Sequence, residues 1–310
     1  AFMCASGVTE FPPLDLDQLR EAMTEIAAFD GLLIVHAELP EPIGAAAVRL
    51  AGADPFAYPT YLASRPPESE ERAVVALIAA SLASGCRTHV LHLSASSCLD
   101  VVDGSKGRVT AETCPHYLSF EAEEIHDGTT EFKCAPPIRD AGNRERLWEG
   151  LRAGVLSSVV SDHSPCTPEL KAGSFFEAWG GIASVELGLR AVWTEARARG
   201  FGLEDVCRWM SEGPARIAGL DRKGAIAEGK DADLVLFEPD EASEIDPFEL
   251  HHRNPVTPYA GRRLDGRVVA TGGSEVDNQL TGVNNSAEIW DPATGQWILG
   301  PSGSRARMYH

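Results

Sequence analysis

Positive charge is scarce in this chain. Its 310 residues carry 27 Lys and Arg against 46 Asp and Glu, a net charge of −19. So acidic a balance offers no electrostatic footprint for nucleic acid and none for an anionic membrane surface. Long hydrophobic runs are also missing. No stretch reaches the roughly 18 apolar residues of a spanning helix, and residues 1–7 lack both the charge and the length of a signal peptide. Paired cysteine motifs are absent as well. The seven cysteines (Cys4, Cys86, Cys98, Cys114, Cys134, Cys166, Cys207) are odd in number, scattered and without a C-x-x-C, which argues against a disulfide framework or a zinc knuckle. These absences point to a soluble protein of a reducing compartment, the cytoplasm.

What is present is an ordinary globular composition, 44% hydrophobic and 24% charged, enough for a substantial core. Apolar residues at Leu19, Met23 and Ile26 have helical spacing, with Asp15 or Asp17 placed to cap the helix. The aliphatic run at 32–36 reads as a parallel strand covered on both faces. A helix over about 70–84 and a strand over 88–92 follow, then a strand at 107–112, a helix at 144–153, a strand at 155–162 and a helix at 184–199. This βαβα order predicts a parallel sheet with helices outside it.

Chemistry-bearing residues fall where those strands end. His36 closes LLIVHAE and His92 closes THVLHLS, and a histidine held by a strand at the mouth of a (β/α) barrel suits zinc or a similar divalent metal. A structural histidine is the plain alternative at each position. His89 lies out of phase with His92 under the two-residue period of a strand, so it reads as a core or supporting histidine. Asp162 in VVSDHSPC has its own plain alternative, a helix N-cap ahead of Ser164 and Pro165.

In order and wording, AFMCASG, LLIVHAE, THVLHLS, FKCAPPIRD, VVSDHSPC, WGGIASVE and HRNPVTPYAG resemble the cyclic amidohydrolases, nearest to their allantoinase branch, across about residues 1–271. The resemblance implies a metal-dependent hydrolase of ring amides, with a binuclear divalent centre, zinc by expectation, and a small cyclic ureide such as allantoin as substrate. Hydantoinase (dihydropyrimidinase) and dihydroorotase are the alternative enzymes. It makes His36, His92 and Asp162 metal ligands, with Asp162 also the base that passes a proton to the leaving amide nitrogen. It places substrate-binding backbone at Cys134, Ala135 and Gly180, and leaves His89, His116 and His163 in supporting positions. The family's His-x-His strand and its bridging lysine have no match in these residues. The expectation is therefore an α/β fold consisting of the second half of a barrel, about four parallel strands over residues 1–223, with remnants of a small β-sandwich over 224–271. A complete barrel needs eight strands. Such a chain is expected to be impaired in catalysis, to expose sheet edges and to self-associate, the resemblance implying a homo-oligomer for the intact family.

From residue 272 the wording changes. Residues 272–310, with Gly272-Gly273, a strand at 287–290, a turn at 291–295 and Trp297, resemble one blade of a kelch-type propeller of the galactose oxidase and glyoxal oxidase group. One blade cannot bury its own face. Tyr309 and His310 match a copper-binding pair of that group, but the other ligands are absent and a terminal residue is weakly held, which argues against a copper site. The reading that competes with an enzyme is a non-catalytic fusion fragment or interaction module.

Overall fold

A computed structural model of the chain describes residues 1–272, 288–291 and 296–299. The expected parallel strands are β1 (Leu32–Val35), β2 (Arg87–Val90), β3 (Val109–Thr113) and β4 (Ser158–Val159), hydrogen-bonded in the order β1-β2-β3-β4. Register runs Val35↔Val90 and Val90↔Ala111 through the middle of the sheet, and Thr113↔Val159 at its far side. Beyond β1 the sheet is continued by residues 1–3: the His36 amide donates to the Ala1 carbonyl at 2.9 Å, and the Met3 amide to the His36 carbonyl at 3.2 Å. Beyond β4, His163 bridges in parallel to Ile182. The result is a segment of barrel wall in sequence order.

The helices that cover the wall start and stop where local chemistry dictates. Helix Leu16–Ala27 begins at Asp15, whose carboxylate accepts from the Asp17 and Gln18 amides while Gln18 reaches back to the Asp15 amide. It buries Leu19 and Met23 and packs on helix Pro67–Ser84 and β1. Helix Pro67–Ser84 opens with proline, where no amide bond is lost, and ends at Gly85 in the left-handed region. Helix Ala141–Ala153 is capped by Asp140 and closed by Gly154, and helix Gly188–Ala198 follows β4.

Two boundaries differ from the sequence reading in a way that matters. Regular pairing stops at Val90 and at Val159, so His92 and Asp162 lie past their strands rather than on them. Both have positive φ, 36° and 44°.

The remaining strands form two-stranded antiparallel sheets. β5 (Leu234–Glu244) pairs with β6 (Arg263–Gly272), with register shifts after Leu236 and Glu238. This pair rests on helix Gly188–Ala198: Arg190 donates to the Ser243 hydroxyl and Leu264 carbonyl, both at 2.8 Å, and the Trp193 indole to the Pro239 carbonyl at 2.9 Å. β7 (Glu288–Asp291) pairs with β8 (Gln296–Leu299), Trp290 opposite Trp297. The rest of the blade-like segment, including Tyr309 and His310, lies outside the described residues.

Candidate functional site

His36 follows β1 and His92 follows the adjacent β2, so neighbouring strand ends deliver both rings to one point. His36 Nδ1 and His92 Nε2 face each other at 3.1 Å, and both side chains are buried. The far nitrogen of His36, Nε2, lies 2.8 Å from Glu38 Oε2. Glu38 is in turn held by the Arg65 guanidinium at 2.7 Å and the Ser69 hydroxyl at 3.2 Å. A carboxylate on the remote nitrogen is the arrangement that orients a metal-binding imidazole. The His92 backbone is held from the side: Glu70 accepts from the Ser94 and Ala95 amides at 2.9 and 3.1 Å, and Arg139 neutralises it at 2.6 Å.

Charge is unevenly distributed here. Burial opposes a proton on His36, but its bonds to Cys4 and Glu38 outweigh that and raise its pKa to about 9. Burial would push the Glu38 carboxyl up, yet His36 and Arg65 bring it down to about 2. Burial and the neighbouring His36 charge lower His92 to about 4, with the Asp162 carboxylate acting in the opposite direction.

Asp162 is exposed, and it starts no helix; the next one, Pro168–Lys171, is preceded by Thr167. The N-cap alternative therefore fails. Its carboxylate gathers with Cys114 Sγ and a His116 ring nitrogen, all within 4.8 Å of one another, while Cys4, His36 and Glu38 form a second such group. His116 is fully enclosed, neither of its ring nitrogens has a hydrogen-bond partner among the described residues, and burial lowers it to about 4. A neutral, unpartnered imidazole beside a carboxylate, and converging nitrogens on His36 and His92, are donors that fit a borderline divalent cation.

The other expected residues are distributed as follows. His89 does not join His36 and His92: its Nδ1 bonds Thr110 at 2.7 Å, and its Nε2 lies 2.9 Å from Glu112 but off the hydrogen-bond direction. His163 Nδ1 accepts the Ser184 and Val185 amides at 3.0 and 3.1 Å, which pins the following loop. In the KCAPPIRD loop, hydroxyls grip four carbonyls, skipping Ala135: Tyr61 on Cys134 at 2.6 Å, Tyr117 on Pro136 at 2.7 Å, Ser94 on Pro137 at 2.6 Å and Tyr58 on Ile138 at 2.7 Å. The Cys134 carbonyl is thus engaged within the fold, whereas the backbone groups of Ala135 and Gly180 have no internal partner among the described residues. Of the double glycine, Gly181 is the one that needs to be small. A Cβ there would sit 2.3 Å from the Ser164 hydroxyl, while at Gly180 the nearest atom is 3.8 Å away.

Sequence reasoning missed Arg65, Glu70, Arg139 and Lys171, because nothing in a linear pattern shows which charges will be buried together. Glu38 was within reach, two residues from His36 in the same strand-end word.

Imidazoles and carboxylates gathered just past the ends of parallel strands lie on the rim where a (β/α) barrel builds its sites. Residues 5–272 match the Amidohydrolase family, and the chain belongs to it. It is 52% identical over 274 residues to an allantoinase of Streptomyces avermitilis, an alignment covering 87% of this chain and 61% of that protein. To the allantoinase of Arabidopsis thaliana it is 43% identical over 287 residues, covering 87% and 56%. Among solved structures, the L-hydantoinase (dihydropyrimidinase) of Arthrobacter aurescens superposes with a TM-score of 0.82 at 27% identity, over 88% of this chain and 62% of that one. The chain thus spans about three fifths of the length of these relatives.

Proposed function

We propose that these residues carry the His36, His92 and Asp162 side of a divalent-metal centre, zinc by its donors, that opens the ring amide of a cyclic ureide, allantoin to allantoate. The observation that carries this reading is the approach of His36 Nδ1 to His92 Nε2 at 3.1 Å, the first ring backed by Glu38. A bound metal supplies a nucleophilic oxygen from water at neutral pH and polarises the scissile carbonyl. The chain's own groups do the rest. Glu38 and Arg65 keep Nδ1 of His36 aimed inward, and Glu70 fixes the turn after His92. Asp162, exposed beside this point, takes the proton of the attacking water and delivers it to the leaving ring nitrogen as the C–N bond breaks. The unpartnered backbone of Ala135 and Gly180 meets the ring's NH and C=O groups, and the engaged Cys134 carbonyl is the weaker contact. Far greater identity to allantoinases than to the hydantoinase structure favours allantoin over hydantoin.

The same reading takes residues 1–223 as the barrel part, 224–271 as the sandwich part and 272–310 as a separate blade-like piece. It places the protein in the cytoplasm, supported by seven unpaired cysteines, and expects copies to associate. No helix among the described residues is long and apolar enough to cross a membrane.

Complementation tests the activity. Residues 1–310 by themselves should hydrolyse allantoin little or not at all, because a catalytic unit lacking some of its members loses nearly all its rate. Fusing on a segment that supplies the His-x-His strand and the bridging lysine should restore hydrolysis, and Asp162→Asn should abolish it again. Restored turnover that survives Asp162→Asn would remove Asp162 from the proton path.

A further inference from the structure

Lys171 is buried with no carboxylate within ion-pair distance among the described residues. Its ammonium instead donates to three carbonyls, Gly181 at 2.7 Å, Trp179 at 2.9 Å and Lys133 at 3.1 Å. Three protons meet three acceptors. Its own carbonyl accepts from the Thr130 hydroxyl, and the Lys133 ammonium reaches the Ala178 carbonyl in the opposite direction. The Gly181 amide closes the assembly on the Lys133 carbonyl at 2.9 Å. Burying a cation without an anion is costly, and an apolar side chain would fill the same space more cheaply. The cost is matched by what the ammonium ties together. Lys133 immediately precedes Cys134 and Ala135, and Trp179 and Gly181 flank Gly180.

The bonds also act through the peptides they touch. A cation on a carbonyl polarises that amide and makes its N–H a stronger donor. The peptide whose carbonyl belongs to Trp179 has the Gly180 N–H, and the one whose carbonyl belongs to Lys133 has the Cys134 N–H.

Resting on the substrate-site reading above, we propose that Lys171 is a positioning residue for the cyclic ureide: it fixes the spacing of the 133–135 and 179–181 loops and strengthens the Gly180 N–H that receives a ring carbonyl. Lysine is required for this because one head group must supply three convergent donors.

The test uses the full chain loaded with zinc, comparing the unmodified protein with Lys171→Gln, which keeps two donors, and Lys171→Met, which keeps none. Amide hydrogen exchange is measured over 131–135 and 178–182, hydantoin binding by calorimetry, and zinc content by elemental analysis. Exchange should accelerate in both segments together, more for Met than for Gln. Hydantoin affinity should fall in the same order, by about tenfold or more for Met, the loss expected of about one charge-assisted hydrogen bond. Zinc content should not change. Acceleration confined to the vicinity of residue 171, or unaltered hydantoin affinity in both variants, would overturn the proposal. If the unmodified chain does not bind hydantoin, the substrate-site reading fails; exchange then decides the loop lock by itself, joint acceleration supporting it and local acceleration sinking it. Should the Met variant not fold, the Gln variant gives the same comparison.

Discussion

At the scale of single residues, the site is made by departures from regular structure. His92 and Asp162 are among four non-glycine residues with positive φ in the described part of the chain, and each such residue costs about 1–3 kcal/mol when held outside its preferred basins. The strain falls just past the strands, at two of the residues proposed above as metal ligands. In zinc-loaded protein, His36→Ala, His92→Ala and Asp162→Ala should each lower bound metal, while His126→Ala, on an exposed loop, should leave it unchanged. Equal losses in all four, by elemental analysis, would defeat the ligand assignment. The two adjacent glycines make a second test. Gly181→Ala drives a methyl into Ser164 and should destabilise by about 1–3 kcal/mol, whereas Gly180→Ala, which meets only Lys133 Cε at 3.8 Å, should stay within about 0.5 kcal/mol. Urea titration of both variants measures the difference.

At the scale of elements, the strands contribute little length, and β4 pairs over two residues only. The connections hold the geometry instead. Arg139, from the tyrosine-gripped loop, neutralises Glu70 on helix Pro67–Ser84, and Glu70 holds the turn after β2. Arg139→Met leaves that buried carboxylate without its cation and should cost about 3–5 kcal/mol, read as a lowered urea midpoint. Lys171 adds a pH signature. Burial lowers its pKa to about 8 from the 10.5 it has when unfolded, with Cys166, Cys134 and Glu131 acting in the other direction; Lys133, which faces it, is lowered to about 8 as well. Between about pH 8 and 10.5 the folded chain therefore binds fewer protons at Lys171 than the unfolded chain, and that contribution makes stability rise with pH. The unmodified protein should gain stability relative to Lys171→Met across this window. A constant difference in urea midpoint from pH 8 to 10.5 would contradict it.

At the scale of the whole molecule, apolar surface is left in the open. Leu234, Val235 and Leu236 in β5 are all about half exposed or more, on both faces of a strand with one antiparallel partner among the described residues. Such a strand is a template for pairing with another chain, opposed only by the repulsion of a net charge of −19. Sedimentation should show species larger than a monomer, increasing as salt screens the charge. Leu234→Lys combined with Leu236→Lys should shift the distribution towards monomer. A distribution indifferent to both salt and these substitutions would place the association elsewhere.

Much of this was legible in the order of residues. The aliphatic runs before His36 and His92, the helical spacing of Leu19 and Met23, and the alternation of strands with helices determined a parallel α/β wall, because burial period and turn chemistry are local properties. The strand-end words carried the family and singled out His36, His92 and Asp162 as candidate ligands. The pairing of His36 with His92, and of Asp162 with His116 and Cys114, belongs to the tertiary structure. Only the lateral packing of β1 against β2 brings two rings 56 positions apart to 3.1 Å, and only enclosure makes Glu38, Glu70, Arg139 and Lys171 consequential. A charged side chain reads the same in sequence whether it faces water or three carbonyls; the difference is set by solvent exclusion, which exists only once the fold has closed over it.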